Sequence, residues 1–517
     1  MTFEIVFVLL SLLGMMAALI ADKMRPGMVL FSVVVLFLCA GILTPKEMLE
    51  GFSNKGMITV ALLFLVSEGI RQSGTLGQVI KKLLPQGKTT VFKAQLRILP
   101  SVAFISAFLN NTPVVVIFAP IIKHWAKSVK LPATKFLIPL SYVTILGGIC
   151  TLIGTSTNLV VHGMILEAGY EGFTMFELGK VGIFIAIAGI IYLFIFSKRL
   201  LPDARPDTAV PDEEVEEGEK LHRVEAVLGA RFPGINKKLS DFNFQRHYGA
   251  EVKEIKTRNG QRYVDHLEDV VLREGDTLVV MADDTFIPTW GESSVFVLLT
   301  NGNDPDTSGK KKRWLALILL VLMIVGATVG ELPATKEMFP DIKLDMFFFV
   351  SITTIIMAWT NLFPARKYTK YISWDILITI ACAFAISKAM VNSGVADCVA
   401  GFIIGLSDDY GPHVLLAILF VITNLFTELI TNNAAAALAF PLALSISAQL
   451  GVSPTPFFVV ICMAASASFS TPIGYQTNLI VQGIGNYKFT DFVRIGLPLN
   501  IITFLISVIL IPLIWNF

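Results

Sequence analysis

Residues 151–163 read TLIGTSTNLVVHG, and residues 471–483 read TPIGYQTNLIVQG. Both stretches fit the pattern T-x-I-G-x-x-T-N-L-[VI]-V-x-G. Each lies in an apolar region, where Asn, Thr and Gly are poor choices for a helix that only faces lipid. We interpret the two stretches as copies of one segment that an internal duplication placed about 320 residues apart.

The duplication extends upstream of this motif. NNTPVVVIFAP at 110–120 is matched by TNNAAAALAFP at 431–441, and in both the central asparagine precedes the proline by nine residues. The distance between the two motifs also repeats. It runs from Asn111 to Asn158 in the first copy and from Asn432 to Asn478 in the second. Repeated apolar regions interrupted by helix-breaking polar residues are typical of secondary transporters.

Composition narrows the class of protein. Of the 517 residues, 54% are hydrophobic and only 16% are charged, which is typical of a membrane protein. The net charge of +1 gives no reason to expect a nucleic-acid partner. The five cysteines have no paired spacing, so we expect no disulfide or zinc framework. The chain has no evident nucleophile–base pair, metal cluster or phosphate loop, and we expect neither an enzyme nor a cofactor.

Apolar runs of spanning length, about 20 residues, recur along the chain. Two other apolar stretches, 96–126 and 412–445, are interrupted by Asn-Asn-Thr and Thr-Asn-Asn. We interpret each of these as a re-entrant helical hairpin with the polar triplet at its tip. The ten predicted crossings are 3–21, 28–44, 56–74, 136–164, 178–199, 313–331, 344–361, 373–391, 455–483 and 490–516.

Five crossings per half is an odd number, so the second half is predicted to be inverted relative to the first. This topology puts most of the basic loops inside and more acidic loops outside, as the positive-inside rule requires. The predicted fold class is therefore an α-helical polytopic membrane protein with two inverted repeats, each of about five transmembrane helices and one re-entrant hairpin. The expected location is the cell membrane, lipid being a partner, with both termini outside.

Residues 202–312 differ from the apolar sequence on either side. They are charged, with Asn259-Gly260 as a hairpin turn signal and TLVVMA (277–282) as an alternating strand. We therefore predict a small α/β, β-rich soluble domain on the cytoplasmic side, inserted between membrane repeat 1 (1–201) and membrane repeat 2 (313–517).

The chemistry of the repeated motifs favours a small anion with a coupling cation. No Lys or Arg is adjacent in sequence to Asn111, Asn158, Asn432 or Asn478. A substrate would meet amide groups, hydroxyls and the main-chain N–H groups of hairpin helix N-termini, which bind anions. Carbonyls of unwound backbone and Asn, Ser or Thr oxygens suit Na+. The duplication thus predicts two cation sites beside one shared anion site.

With these motifs the sequence resembles the divalent anion/sodium symporter family of the ion-transporter superfamily. That family carries Ser-Asn-Thr at its hairpin tips. Here the tips read Asn110-Asn111-Thr112 and Thr431-Asn432-Asn433, so the central asparagine is kept and its neighbours differ. The family's Thr-Glu is present as Thr427-Glu428. The resemblance covers both membrane repeats and implies an elevator-type dimer.

The resemblance implies a role for individual residues. The first sodium site would be formed by Ser106, Asn110, Asn111, Gly148 and Thr151. The second would be formed by Thr427, Ile430 through its carbonyl, Asn432, Ser468 and Thr471. The anion would be contacted by Asn111, Thr112, Thr157, Asn432, Asn433 and Thr477, with Asn158, Asn478, Gly154 and Gly474 in support.

The inserted domain, over about 218–290, resembles the C-terminal module of regulator-of-potassium-conductance proteins. The resemblance rests on the elements GxxxxLSxF, YGAEVxxI and LREGDTLVVM. Modules of this kind dimerise and often bind small ligands, which implies a homodimer and a small-molecule regulator.

The expected function is sodium-coupled symport of small divalent anions, with sulfate favoured over C4-dicarboxylates. One alternative is a proton-coupled carrier or another oxyanion (arsenite-type) carrier of the same superfamily. A more distant alternative is a potassium channel or channel-like transporter controlled by the soluble module. The fragment Thr471–Tyr475 has some likeness to T-V-G-Y-G, the filter sequence of potassium channels. The chain contains no repeated T-V-G-Y-G, which argues against the channel alternative.

Overall fold

The structure is a computed structural model that carries side chains. It describes residues 3–21, 23–85, 87–203, 222–229, 231–257, 261–283, 286, 290, 295–300, 310–339, 341–405 and 411–517. The predicted turn at Asn259-Gly260 lies outside the described residues.

Helices make up most of the first half of the chain. Its apolar runs form the long helices, and side-chain caps start several of them: the Asn54 carbonyl oxygen, for example, accepts from the Gly56 N–H at 2.8 Å. The helices are α1 (Phe3–Ala21), α2 (Pro26–Cys39), α3 (Pro45–Glu50), α4 (Lys55–Gln72), α5 (Thr75–Leu83), α6 (Val91–Ser106), α7 (Asn111–Ser128), α8 (Leu137–Gly148), α9 (Ser156–Glu167) and α10 (Gly179–Leu200).

The second half repeats this order of long and short helices. Its helices are α12 (Lys310–Gly330), α13 (Pro333–Met338), α14 (Met346–Trp359), α15 (Tyr368–Tyr371), α16 (Trp374–Asn392), α17 (Val395–Gly405), α18 (Gly411–Leu429), α19 (Asn432–Leu450), α20 (Thr455–Ser466), α21 (Gln476–Gly485) and α22 (Phe489–Ile514). Most of the equivalent helices begin about 320 residues apart, in agreement with the offset in the sequence; α12 begins 307 residues after α1, and α22 begins 310 residues after α10.

Helix packing between the halves is reciprocal. Helix α2 packs on α16, and their counterparts α14 and α4 pack on each other in the same way. Helix α7 packs on α21 just as α19 packs on α9, and α10 packs directly on its own counterpart α22. This exchange of equivalent partners is the pattern that a two-fold axis between the halves produces.

The two predicted hairpins are present, but two predicted crossings are broken. Helices α6 and α7 form the first hairpin, and α18 and α19 form the second. The stretches 136–164 and 455–483, predicted as single crossings, are each two helices separated by non-helical backbone at 149–155 and 467–475. The glycines and threonines of the repeated motif account for these interruptions.

Eight helices in the described part of the chain are long and apolar enough to cross a membrane. Six of them correspond to predicted crossings, and the other two are the hairpin helices α18 and α19. Helices α2 and α14 have only 14 residues each. With the sheet described next, this confirms the predicted fold class of a polytopic helical membrane protein with a small β-containing insert.

The described part of the insert forms a five-stranded sheet in the order β3-β2-β4-β1-β5, with every neighbouring pair antiparallel. One face of the sheet is covered by a cluster of aromatic side chains that includes Phe232, Tyr248 and Phe296. The elements are β1 (His222–Leu228), α11 (Phe244–Tyr248), β2 (Glu251–Lys256), β3 (Arg262–Tyr263), β4 (Thr277–Ala282) and β5 (Phe296–Thr300).

The sheet contacts both membrane repeats. Lys123 of α7 forms an ion pair with Glu225 of β1, with 3.0 Å between Nζ and a carboxylate oxygen. On the other repeat, Gly483 of α21 lies so close to β4 that a Cβ atom there would be 2.5 Å from the Thr277 hydroxyl oxygen. The sheet is thus attached to one helix of each repeat, and those two helices carry residues of the repeated motifs.

Candidate functional site

Four helices begin at the centre of the molecule, two from each repeat. Helices α7 and α19 start at the hairpin tips, and α9 and α21 start after the broken crossings. Each is preceded by a residue with extended backbone whose side chain makes no capping hydrogen bond. The first main-chain N–H groups of these helices are therefore not capped by their own N-cap side chains. The four N-cap residues are Asn110, Thr155, Thr431 and Tyr475.

Side chains from opposite repeats join these helix starts in pairs. The Thr112 hydroxyl at the first tip donates to the side-chain oxygen of Gln476 at 3.4 Å. In the equivalent contact, the side-chain oxygen of Asn433 at the second tip accepts from Ser156 at 3.3 Å and from Thr157 at 3.4 Å. Each hairpin tip thus faces the broken crossing of the other repeat, which brings three of the predicted site residues, Thr112, Thr157 and Asn433, to one place.

The hydroxyl of Tyr475 lies between the two tips. It accepts a hydrogen bond of 2.6 Å from the Asn111 amide nitrogen and lies 3.0 Å from the hydroxyl oxygen of Thr155. The side chain of Asn432 also lies in hydrogen-bonding reach of it. Thr155 is the counterpart of Tyr475 in the other copy of the motif, so the two side chains meet at the axis that relates the repeats.

The predicted first sodium site forms a compact group of oxygens beside the first tip. The Ser106 hydroxyl donates to the Asn111 carbonyl oxygen at 2.8 Å, and the Thr151 hydroxyl oxygen accepts from the Gly154 N–H at 3.1 Å. A Cβ atom on Gly148 would lie 2.7 Å from the Asn111 oxygen and 3.0 Å from the Gly154 carbonyl oxygen. With these oxygens in place, a side chain larger than that of glycine at position 148 would clash with them.

The second tip repeats this arrangement. The Thr427 hydroxyl donates to the Asn432 carbonyl oxygen at 2.7 Å, and the Thr471 hydroxyl oxygen accepts from the Gly474 N–H at 3.3 Å. A Cβ atom on Gly474 would overlap the Ser468 hydroxyl and lie 2.5 Å from the Thr427 carbonyl oxygen. The sequence motif therefore builds the same oxygen-lined space twice.

The two supporting asparagines hold the broken crossings in shape. Asn158 donates to the Thr151 carbonyl at 2.9 Å, and Asn478 donates to the Thr471 carbonyl at 3.1 Å. Both asparagines are fully buried. The side-chain oxygen of Asn478 accepts from Ser141 at 2.7 Å, whereas the side-chain oxygen of Asn158 has no hydrogen-bond partner among the described residues.

Three further predicted residues, Asn110, Ile430 and Thr477, lie outside the hydrogen bonds described so far. Asn110 lines a crevice together with Ser67 and Ser156. Ile430 follows the last residue of α18 and is buried. Thr477 is buried, and its hydroxyl oxygen lies 2.9 Å from the hydroxyl oxygen of Ser141.

Glu428 connects the second hairpin to the second broken crossing and to α22. Its carboxylate accepts from the main-chain N–H groups of Ser470 at 2.8 Å and Thr471 at 2.9 Å. The amide of Asn500 on α22 donates to the same carboxylate at 2.8 Å. The counterpart of Glu428 in the first repeat is Ala107, so this brace exists in one repeat only.

Sequence reasoning did not assign Tyr475, Gln476, Ser156, Ser141 or Asn500 to the site. The first three are motif positions where the two copies differ or carry a variable polar residue, and that difference was the available signal. Ser141 and Asn500 lie in apolar helices and carry no pattern of their own. Only the tertiary contacts bring these two to the motif.

The donor set indicates which ions the site suits. Around the first tip it consists of neutral hydroxyl, amide and carbonyl oxygens, and at the second tip the Glu428 carboxylate is added to such oxygens. All of these are hard ligands of the kind that bind Na+. No group of three or more His, Cys, Asp or Glu that could hold a metal ion occurs among the described residues. Beside Gly148 and Gly474 these oxygens approach the backbone so closely that a Cβ atom at either glycine would clash with them.

Comparison with known proteins identifies the family. Residues 16–443 and 342–517 match the citrate transporter family model. The chain is 30% identical to an uncharacterized transporter of Synechocystis, with 94% of this chain and 93% of the relative covered. It is 22% identical to a probable sodium/sulfate cotransporter of Chlamydomonas reinhardtii, with 93% and 85% covered. It is 24% identical to a sodium-dependent dicarboxylate transporter of Staphylococcus saprophyticus, with 31% and 33% covered.

The family match extends over both membrane repeats and therefore includes every residue of the site described above. Its relatives include transporters named for sulfate and for dicarboxylates, which agrees with the resemblance that the motifs indicated. The chain is a multi-pass membrane protein that belongs to the citrate transporter family.

Proposed function

We propose that this protein is a sodium-coupled symporter of small divalent anions and that it favours sulfate over C4-dicarboxylates. The observation that carries the proposal is the meeting of four helix N-termini, at Asn111, Ser156, Asn432 and Gln476. Helix N-termini carry partial positive charge and exposed N–H groups, so four of them together favour an anion. Neutral side chains surround this centre, and they suit an anion that arrives with its own cations.

The coupling ions are Na+, bound in the two oxygen-lined spaces. Asn111 and Asn432 connect the cation and anion sites, because their carbonyl oxygens face the hydroxyls of Ser106 and Thr427 and their amide nitrogens face the centre. A cation bound at the carbonyl oxygen would hold each amide in place for the anion. Ordered binding of this kind makes anion affinity depend on sodium.

We favour sulfate because side chains of the motif from opposite repeats are in contact between the tips, at Thr112–Gln476 and at Ser156–Asn433. The relative named as a sodium/sulfate cotransporter aligns over most of its length, and the one named for dicarboxylates aligns over a third. This difference in coverage supports sulfate as the substrate. The direct test is a measurement of sulfate transport.

We further propose that both termini lie outside the cell membrane, with the inserted domain in the cytoplasm and the protein working as a homodimer. The hairpins, with α8, α9, α20 and α21, would move together as the transporting unit in an elevator-type cycle. A small molecule bound to the inserted domain would act as a regulator. Attachment of the sheet to α7 and α21 would transmit such regulation to the moving unit.

Uptake into proteoliposomes tests the function. Labelled sulfate and labelled succinate are supplied with an inward sodium gradient, with equal sodium on both sides, and with a proton gradient alone. We expect sulfate to accumulate only with the sodium gradient and more strongly than succinate. Equal accumulation without the gradient would exclude sodium coupling, and accumulation with protons alone would favour the proton-coupled alternative.

Two substitutions test the site. Asn111→Ala and Asn432→Ala each remove an amide that faces both ions, and we expect sodium-driven sulfate uptake to fall at least about 100-fold. Asn392→Ala is the matched control, because its amide bonds the Ile42 carbonyl at the end of α16. Unchanged uptake in both tip variants would contradict the assignment of the site.

A further inference from the structure

Tyr475 is the largest side chain at the junction of the two tips. Its ring is nine-tenths buried, and its hydroxyl lies 2.6 Å from the amide nitrogen of Asn111 and 3.0 Å from the hydroxyl oxygen of Thr155. The equivalent place in the first repeat carries only Thr155. One repeat therefore fills its side of the centre with a phenol ring, and the other leaves that side to a small side chain.

The direction of the hydrogen bonds matters for the chemistry. The Asn111 amide donates to the phenol oxygen, so the phenolic proton points away from Asn111. Without a substrate, that proton can be donated to the Thr155 hydroxyl oxygen. With an anion bound, it can be donated to an oxygen of the anion instead. The phenol therefore gives the centre a neutral O–H donor on a rigid side chain with little rotational freedom.

We propose that Tyr475 is the residue that determines substrate size. Its ring shortens the space between the tips, and its hydroxyl donates to one oxygen of the anion. A compact tetrahedral oxyanion then fits, whereas a dicarboxylate with carboxylates at both ends of a carbon chain is too long. This inference rests on the proposed function and adds to it the residue that distinguishes sulfate from dicarboxylates.

A purely structural role for Tyr475 makes different predictions from a role in selecting the substrate. If the ring only packs, its replacement lowers stability and affects all substrates alike. If the ring limits the length of the substrate, its replacement changes the ratio of two substrates. The ratio of sulfate to succinate uptake is therefore the quantity to measure.

The first experiment uses the unmodified protein. Sodium-driven uptake of labelled sulfate is measured in the presence of unlabelled selenate, malonate, succinate or glutarate at equal concentration. We expect selenate to inhibit strongly and the dicarboxylates to inhibit less as they lengthen. Inhibition by glutarate as strong as inhibition by selenate would overturn the proposal without any variant being made.

The second experiment compares Tyr475→Thr with Tyr475→Phe. The threonine variant makes both copies of the motif alike at this position, and we expect the succinate-to-sulfate uptake ratio to rise at least about tenfold. The phenylalanine variant keeps the ring but loses the hydroxyl, and we expect it to keep the ratio while sulfate affinity falls about tenfold. Tyr142→Phe is the control, because the Tyr142 hydroxyl is buried and bonds the main-chain carbonyl of Phe469.

The outcomes separate this inference from the proposed function. If the unmodified protein accumulates neither anion with sodium, the proposed function fails. If it accumulates sulfate and Tyr475→Thr keeps the original ratio, only the inference about Tyr475 fails. An equal loss of sulfate uptake in Tyr142→Phe and Tyr475→Phe would show that the hydroxyl of Tyr475 acts through packing.

Discussion

The two hairpin tips share one plan and differ in how firmly each is held. Both have a hydroxyl bonded to the carbonyl oxygen of the central asparagine, from Ser106 to Asn111 in the first and from Thr427 to Asn432 in the second. The second tip also has Glu428, whose carboxylate binds the broken crossing and α22. A duplicated site has thus become two half-sites, one fixed by a charged group and one held by neutral contacts.

The two repeats also differ beside the hairpin tips and at the contact with the sheet. At one matched position the first repeat has Gly148 and the second has Ser468, so the second space has an additional hydroxyl oxygen. Lys123 on α7 pairs with the sheet, and its counterpart on α19 is Leu444. We therefore expect the two proposed cation sites to differ in affinity. We also expect an ion pair to the sheet at the first hairpin and none at the matched position of the second.

The largest expected effect comes from the matched glycines of the motif. A Cβ atom on Gly154 would collide with the main chain at Gly148, which cannot turn aside. On Gly474 it would meet the Ser468 hydroxyl, which can rotate, and the Thr427 carbonyl oxygen at 2.5 Å. We expect Gly154→Ala to reduce sodium-driven uptake at least about 100-fold and Gly474→Ala to reduce it less.

Gly14→Ala is the control for these two variants, because nothing lies within 4 Å of a Cβ atom at that position of α1. Its uptake should match that of the unmodified protein. A larger loss in Gly474→Ala than in Gly154→Ala would contradict the view that the first space is the more tightly enclosed by main-chain atoms.

The next largest effect is expected at the brace that only the second tip has. Glu428→Ala leaves the N–H groups of Ser470 and Thr471 without their carboxylate, and hydrogen bonds to charged groups contribute about 1.5–3 kcal/mol. We expect uptake to fall about tenfold or more and the apparent melting temperature in detergent to decrease. Glu428→Gln should have a smaller effect, since its side-chain oxygen can still accept one of these bonds.

This pair of variants also tests a role for Glu428 in proton transfer. If Glu428→Gln kept the full stability but lost all transport, the carboxylate would be carrying a proton rather than bracing the crossing. A decrease in stability that parallels the decrease in uptake is the result that the brace predicts.

Sodium dependence tests the inequality of the cation sites directly. Ser106→Ala removes an oxygen from the first site, and Thr427→Val removes the equivalent oxygen from the second. We expect each to raise the sodium concentration for half-maximal uptake about three- to tenfold, with the larger rise in Ser106→Ala because the second site has the additional oxygen of Ser468. Equal rises in both variants would contradict the proposed difference between the sites.

The smallest effect is expected at the ion pair between the sheet and the first hairpin. Burial alone would raise the pKa of Glu225, but Lys123 and Lys256 outweigh it and lower that pKa to about 2. A carboxyl with a lowered pKa stabilises the folded state at pH values above its ordinary pKa, and that contribution is lost as the pH falls toward 2. We expect the apparent melting temperature to decrease between about pH 4.5 and pH 2.

Glu225→Gln should be less stable than the unmodified protein at pH 7, by about 1–3 kcal/mol, and should lose most of this pH dependence. The control is Glu251→Gln, because Glu251 pairs with Lys253 at the surface and such pairs contribute little. Thermal unfolding at a series of pH values gives both quantities. An equal response of the two variants would show that the Lys123 pair does not hold the sheet to the hairpin.

Much of the site could be predicted because the duplication marks it. The structure brings Thr157 into contact with Asn433 and places Asn111 and Asn432 on either side of the Tyr475 hydroxyl. Polar residues at matched positions of two repeats have few other places to be buried in a membrane protein. Ser141 and Asn500 could not be predicted, because each is a single polar residue in an apolar helix. Ser141 bonds a residue 337 positions away in sequence, and Asn500 bonds one 72 positions away. Only the packing of the helices decides which of them faces the motif.

The sequence by itself determined the membrane class, the duplication, the two hairpins and the position of the insert. These follow from hydropathy, from repeated Asn, Thr and Gly residues, and from a change in composition, all of which are local properties of the chain. The tertiary structure decided that Tyr475 reaches across to Asn111 and Thr155, and that the sheet is attached to α7 and α21. These contacts depend on how the two repeats pack against each other, which no local pattern specifies.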